Sequence, residues 1–409
     1  MGFRNIISIL LFFPSVLCAE EAVTLTFDMA AQKLFQCSPT LKISASNVHE
    51  KDGQWLQSSL YPNPIFSYSV ENVFGNKRWR GWRAAESRYE IAQPIETCGK
   101  RAFRSKVAGF QFYAAQAGYE ATVTQQLNQL LKAFVSVAAA QELLSLAEEQ
   151  KRISKEIFNI VTDKVDAGKV SLMQKNKAEI AFSHSEIFSQ KANTDLDVAK
   201  ERLALLWGET CPDFDDVAYP FFEVDIPINW HHCLARVQDN PELVKSQFEQ
   251  LAAQQNLNFE KAEQVPDILV LVGYKTEREC GEQGMILGVS LPLAIFNRNQ
   301  GNIETARAIK AQSYDEYASV RSTLEAKLGI LHKEWVRAYG EVDLLRSTVL
   351  RVATQSFEFA TEGYREGKFE YLDMLDSQQT LFEVKGRYIQ ALLNYHQRHA
   401  DIQYLNTKT

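Results

Sequence analysis

Gly367-Lys368-Phe369-Glu370-Tyr371-Leu372-Asp373-Met374-Leu375-Asp376 interrupts a very long helical pattern and restarts it at once, and Gly168-Lys169-Val170-Ser171-Leu172-Met173-Gln174 is a degenerate echo of it. Glycine at such a break admits the left-handed backbone that ends a helix, so each stretch reads as a tight turn between two helices. With Gly168 set against Gly367, other rare residues fall into register. Pro39-Thr40-Leu41 matches Pro241-Glu242-Leu243 at an offset of 202, and Pro64 matches Pro266 at the same offset. Ile91-Ala92-Gln93-Pro94-Ile95 matches Val289-Ser290-Leu291-Pro292-Leu293 at 198, and the two glycine breaks lie 199 apart. Six of the 11 prolines fall in corresponding pairs, so the chain consists of two structural repeats.

The first repeat is expected over 20–208 and the second over 239–409, joined by a linker at 209–238 that holds Pro212, Pro220 and Pro227 among acids and aromatics. Residues 1–19 read as a secretory signal: Arg4, an apolar run from Ile6 to Leu17, then Cys18-Ala19 before Glu20-Glu21. Cys18 raises the question of lipidation, against which Leu17 is too large for the usual lipobox. No further stretch of membrane-spanning length is evident in the sequence.

Each repeat opens on a helix, 26–59 and then from Pro241, with Pro39 and Pro241 at helix starts. Phe66, Tyr68 and Val70 then alternate with Ser67, Ser69 and Glu71, and Ser87, Tyr89 and Ile91 with Glu86, Arg88 and Glu90. Period two predicts strands with one greasy and one polar or charged face. We expect strands at about 65–72, 84–95, 268–275 and 285–293, with Pro64, Pro94, Pro266 and Pro292 at the helix–strand junctions. A turn-rich basic loop runs from Val73 to Gly81.

The helix that follows, about 97–163, would be roughly 100 Å long at about 1.5 Å per residue. Leu127, Leu130, Leu131, Phe134 and Val137 have coiled-coil-like spacing there. Its counterpart is expected over about 297–364. Tips at 166–171 and 365–370 lead into return helices from Ser171 to Trp207 and from Tyr371 to Leu405. The fold class is mainly α with a small β part. Strands of this length suit an outer-membrane barrel. Four strands cannot close a barrel, whereas several chains pooling theirs leave no edge.

Composition narrows the function. An apolar fraction of 45 % supplies an ample core, and 44 basic against 51 acidic residues give a net charge of −7, with no basic footprint for nucleic acid. The five mature cysteines, Cys37, Cys98, Cys211, Cys233 and Cys280, are scattered; Cys211 and Cys233 flank the linker and are a possible disulfide pair. There is no H-E-x-x-H, phosphate loop or G-x-S-x-G, so no enzyme and no cofactor is expected. His396 with His399, and His231-His232-Cys233, are isolated groups that read as surface residues rather than metal sites.

The helix-to-strand prolines, Gln93-Pro94-Ile95 with Gly99-Lys100-Arg101, and the two glycine breaks together resemble the TolC-type outer-membrane efflux channels over essentially the whole mature length. Tyr61-Pro62-Asn63-Pro64 with Glu71-Asn72, and Gln93-Pro94-Ile95-Glu96 with Gly99-Lys100-Arg101, look most like the subgroup that serves heavy-metal pumps of the resistance-nodulation-division class.

That resemblance implies a homotrimer in the outer membrane, with a twelve-stranded barrel and a periplasmic helical tunnel (α-barrel). A periplasmic adaptor and an inner-membrane pump complete the system. The loops around Lys77 to Arg83 and Glu277 to Gly284 would face outward, where basic residues stand ready for lipopolysaccharide or for water. Gly168, Lys169, Ser171, Gly367 and Lys368 would lie at the adaptor-docking tips.

Asp373 and Asp376 are three apart, so they share one helix face, and they match the family's acidic constriction. A trimer would stack six carboxylates in two rings that attract cations. The chain departs from the familiar pattern in having Phe369 in place of a basic residue, and Gln174 as the first-copy equivalent of Asp373. Lys177, the equivalent of Asp376, is the substitute closing partner expected here. A duct for protein export and a periplasmic coiled-coil scaffold are the competing functions.

Overall fold

The computed structural model describes residues 24–79 and 81–406. The expected signal segment with Cys18, and Arg80 of the basic loop, lie outside them. In chain order the strands are β1 (Thr24–Leu25), β2 (Ile65–Glu71), β3 (Glu86–Ile95), β4 (Asp216–Val217), β5 (Ile268–Glu277) and β6 (Gln283–Ser290). The helices are α1 (Phe27–Cys37), α2 (Pro39–Ser59), α3 (Lys100–Asp166), α4 (Leu172–Ala204), α5 (Trp230–Arg236), α6 (Pro241–Ala262), α7 (Gln300–Leu344), α8 (Leu350–Arg365) and α9 (Tyr371–Asn406). A π-helical turn, Leu345–Val349, joins α7 to α8, whereas α3 runs unbroken for 67 residues.

Pro39 and Pro241 occupy the first turns of α2 and α6, where a missing N–H costs nothing because that donor has no partner within the helix. Asn240 caps α6, its side chain accepting from the Glu242 amide at 3.0 Å.

β2, β3, β5 and β6 form one antiparallel sheet in that order. The register sets Tyr68, Tyr89, Tyr274 and Met285 in one row across all four strands, with Phe66, Ile91, Val272 and Leu287 in the row two residues nearer the helices. Glu71, Glu86 and Glu277, then Ser69, Arg88 and Lys275, fall on the opposite face. Arg88 bridges Glu86 at 3.1 Å and Glu71 at 3.4 Å, and Lys275 reaches Glu86 at 3.2 Å. The alternation therefore yields an exposed apolar face and a charged one, as a barrel wall between lipid and water requires. Among the described residues β2 and β6 each pair on one side only.

β3 ends at Ile95 as expected, running through Pro94 because β2 stops pairing at Ile65 opposite Ala92 and so asks Pro94 for no N–H. The other limits shift: β3 begins at Glu86, β5 runs on to Glu277 and β6 spans Gln283–Ser290. Gln93 Nε2 instead donates to the Pro62 carbonyl at 2.9 Å. β6 ends at Ser290, before Leu291 and Pro292, where its partner β5 runs out at Ile268. The second long helix starts at Gln300 rather than 297.

Near the sheet, α2, α3, α6 and α7 lie side by side; in the far half the order is α4, α3, α9, α8. Between these halves the main core gathers Leu130, Phe134, Val137, Leu203, Trp207, Leu328, Trp335, Leu392 and Tyr395. Contrary to the sequence reading, α3 contains an 18-residue stretch apolar enough by composition to cross a membrane; half of it is buried inside the molecule.

Residues 209–238 strap this waist: β4 pairs in parallel with β1, and Phe214, Phe221 and Cys233 enter the core. Cys233 is buried on α5 while Cys211 is exposed, and both are free thiols, so the proposed pairing is not made. His396 is not a surface residue either. It is buried on α9, with Nε2 2.9 Å from the Phe221 carbonyl and Nδ1 3.0 Å from the Tyr219 hydroxyl.

Candidate functional site

Two regions are built by the residues singled out above: the helix–strand junctions and the tips. At the junction, Lys100 is 3 % exposed, and its ammonium sits 2.7 Å from Asp267 and 3.7 Å from Glu263. The Thr97 amide donates to the same Asp267 oxygen at 3.1 Å. Arg101 lies 3.5 Å over the Tyr61 ring, and Arg104 binds Glu96 and the carbonyls of Ser58 and Leu60. Tyr61, Pro62, Gln93, Glu96, Lys100 and Arg101 thus meet in space. They clamp the point where tunnel helices become barrel strands, with Lys100 tying the first half of the chain to the second. Pro64 and Pro266 stand just before β2 and β5, and Pro292 just after β6.

Both tips close by the same hydrogen bonds. Gly168 (φ +70°) and Gly367 (φ +76°) are left-handed. Lys169 N donates to Lys164 O at 2.9 Å and Gly168 N to Val165 O at 2.8 Å; Lys368 N donates to Gly363 O at 2.7 Å and Gly367 N to Tyr364 O at 3.2 Å. These six-to-one and five-to-two bonds are the Schellman motif that satisfies the last carbonyls of a helix. Gly168, Lys169, Ser171, Gly367 and Lys368 are all exposed.

The return helices begin differently. Asp373 sits in the first turn of α9, and its Oδ2 accepts from the Glu370 amide at 3.1 Å, the back-bond of a capping box. Glu370-x-x-Asp373 carries that signal in sequence, and the structural role adds to the charge. Asp376 is exposed and has no ion-pair partner among the described residues. Gln174, in the equivalent position on α4, leaves its Oε1 buried without a partner. Lys177 makes no ion pair with Asp376 or with any other described carboxylate of its own chain.

A small core of Ile157, Val161, Ala178, Ala360, Tyr364, Tyr371 and Met374 joins the two hairpins. Lys164 lies 3.8 Å over the Tyr364 ring. Phe369 covers Gly363 so closely that a β-carbon there would overlap its ring. Burial pushes the Tyr371 hydroxyl up to about 12 and raises that of Tyr364, so both stay protonated donors. Neither finds an acceptor among the described residues, where the Thr162 and Thr361 hydroxyls are likewise buried and unpartnered. With Gln174, these atoms concentrate unmet hydrogen-bonding capacity at one end of the molecule, where Thr361 and Tyr364 line a cavity of about 140 Å³ between α3 and α8.

The chain matches the outer membrane efflux protein family over residues 68–209 and 236–405. It belongs to that family. Among its curated relatives is the cobalt-zinc-cadmium resistance protein CzcC of Cupriavidus metallidurans, 29 % identical over 91 % of this chain and 88 % of the relative. In solved structures the fold is shared with CusC, at a TM-score of 0.79 and 15 % identity over 95 % of this chain and 93 % of that one. The Campylobacter jejuni CmeC outer membrane channel gives 0.77 and 15 % over 93 % and 85 %. This efflux channel accordingly resides in the outer membrane, its four-stranded sheet forming barrel wall and its long helices a periplasmic tunnel. Channels of the family form trimers and work with adaptors and inner-membrane pumps.

Proposed function

We propose that this channel is the passive exit duct of a metal-efflux system: a homotrimer that receives divalent transition-metal cations from a resistance-nodulation-division pump through a periplasmic adaptor. The observation that carries this reading is the exposed Asp373–Asp376 pair at the start of α9, without an ion-pair partner among the described residues, in a sequence 29 % identical to a cobalt-zinc-cadmium resistance protein. Three copies would set six carboxylates around the narrow inner end. Carboxylate rings attract cations and repel anions. Hard or borderline divalent ions would find oxygen donors there without a closed cage to hold them.

The unsatisfied hydroxyls of Thr162, Thr361, Tyr364 and Tyr371 support a tip that is completed by other chains. Lys177 would then face carboxylates of a neighbouring copy and help close the tunnel. Gly168, Lys169, Ser171, Gly367 and Lys368 would present backbone and small side chains to the adaptor. Residues 20–208 and 239–409 are the two repeats of this design, with 209–238 the strap between them. Chemistry is left to the pump, and the duct needs no cofactor.

Deleting the gene tests the substrate class. The strain should become sensitive to cobalt, zinc and cadmium while its tolerance of organic antibiotics and its secreted proteins stay unchanged. Antibiotic sensitivity or lost protein secretion with normal metal tolerance would contradict the metal assignment. Heat-modifiable trimers that conduct ions separate a channel from a coiled-coil scaffold.

A further inference from the structure

We propose that the loop joining β2 to β3 binds the phosphate groups of lipopolysaccharide in the outer leaflet. The inference rests on the channel reading for the placement of the sheet in the membrane. All four strands meet their helices at one end, so the turns at 72–85 and 278–282 occupy the opposite, outward end. The row of Tyr68, Tyr89, Tyr274 and Met285 lies on the apolar face, and aromatic residues mark the level where a barrel meets the headgroups. Tyr68 precedes the turn by four residues, about 14 Å at roughly 3.4 Å per residue. The loop therefore starts beyond the aromatic row, on the side of the phosphate-bearing headgroups and sugars.

Its sequence suits that place. Residues 77–83 read Lys-Arg-Trp-Arg-Gly-Trp-Arg, four cations and no acid in a chain of net charge −7. Lys77 and Arg83 are exposed and pair with no carboxylate among the described residues. Trp79 and Trp82 are 53 % and 55 % exposed, and Phe74 is 92 % exposed. An indole that keeps one face in acyl chains and its N–H among headgroups is the usual interfacial anchor. Guanidinium forks match phosphate oxygens two at a time.

The presentation is folded. Gly75 N donates to Trp79 O at 2.9 Å and Trp79 N to Asn76 O at 3.2 Å, and two 3₁₀ turns, Lys77–Trp79 and Gly81–Ala84, shape the run. Arg278 from the second turn fixes the base, its amide donating to Ala85 O at 3.1 Å and its guanidinium 5.9 Å from the Trp82 ring. That second turn, Arg278-Glu279-Cys280-Gly281-Glu282, has two acids and no aromatic residue. The anion-binding character therefore belongs to the first loop alone, and a trimer would carry three such sites around its rim.

The test measures binding of fluorescent rough-type lipopolysaccharide to purified detergent-solubilised trimers. Wild type should bind the bis-phosphorylated form at least tenfold more tightly than either the dephosphorylated form or phosphatidylglycerol vesicles. K77Q/R78Q/R80Q/R83Q should lose at least tenfold while keeping heat-modifiable trimers and single-channel conductance. Should that variant fail to assemble, K77Q/R83Q should still lose at least threefold. Equal binding by wild type and an assembled variant, or binding that ignores the phosphates, or equally tight phosphatidylglycerol binding, overturns the proposal. Conductance retained alongside such a result leaves the channel reading standing; trimers that never conduct sink that reading instead.

Discussion

The tips at Gly168 and Gly367 share one backbone design and part company in the next turn. After Gly168 the chain continues Lys169-Val170-Ser171, and α4 begins with Leu172 63 % exposed and with Lys175 and Lys177 close behind. After Gly367 it continues Lys368-Phe369-Glu370, and α9 begins with Tyr371 1 % exposed and with Asp373 and Asp376 close behind. Asp373, in the first turn of α9, complements the positive end of the helix dipole by about 0.3–1 kcal/mol, and α4 has no acid in its first turn. The second return helix is thus stabilised locally by charge, by the Asp373 back-bond and by burial between α3 and α8. The first packs on α3 and lacks a side-chain cap on Ser171. The second return helix has a neighbouring helix on each side, α3 and α8, whereas the first has α3 alone.

Truncating the two first helical residues is the most severe way to break this comparison. Tyr371→Ala empties the tip core and should cost about 3–5 kcal/mol of local stability, read as faster hydrogen exchange over 357–376. Leu172→Ala should stay within about 0.5 kcal/mol. Equal effects at the two sites would erase the distinction.

Valine at either glycine comes next, because a β-branched residue in the left-handed region costs on the order of 1–3 kcal/mol. Gly168→Val and Gly367→Val should both form trimers yet fail to retain the adaptor in a pull-down, with the Gly367 variant also changing gating. Normal adaptor capture would argue against the tips as the docking site.

The smallest effect concerns the waist. Burial depresses the His396 pKa below its ordinary 6.5, outweighing the Phe221 carbonyl, which favours the charged ring; His399 is lowered in the same way. A depressed histidine pKa means that the unfolded chain binds the proton more readily than the folded one. Docking of residues 219–228 is then at full strength above about pH 6.5 and weakens as the pH falls below it. Hydrogen exchange of that segment should rise on acidification in wild type and lose most of this dependence in His396→Gln.

Much of this architecture was legible because it rests on residues with narrow backbone options. Glycine at 168 and 367 and proline at 39 and 241 mark left-handed turns and helix starts whatever surrounds them. Period-two alternation likewise set the faces of the sheet, and Leu130, Phe134 and Val137, spaced as in a coiled coil, are fully buried. What escaped depends on partners far along the chain. Lys100 meets Asp267 across 167 residues, and His396 meets Phe221 across 175. Nothing local distinguishes either from a solvated side chain.

Cys211 and Cys233 looked matched by flanking one linker, but α5 turns one inward and leaves the other outside. At the candidate site the acidic pair was visible and its capping role was not, although Glu370-x-x-Asp373 has the spacing of a capping box. The π turn at Leu345–Val349 has no residue that explains it.

The reversal potential of single trimers in a planar bilayer under a potassium chloride gradient tests most directly whether the acids of the second tip set ion preference. Asp373→Asn with Asp376→Asn keeps hydrogen-bonding oxygens at both positions while removing six charges per trimer. Wild type should show a cation-selective potential and the double variant one shifted toward zero. Lys175→Gln with Lys177→Gln, at the first tip, should leave cation selectivity in place. An unchanged potential in the double aspartate variant would contradict the account.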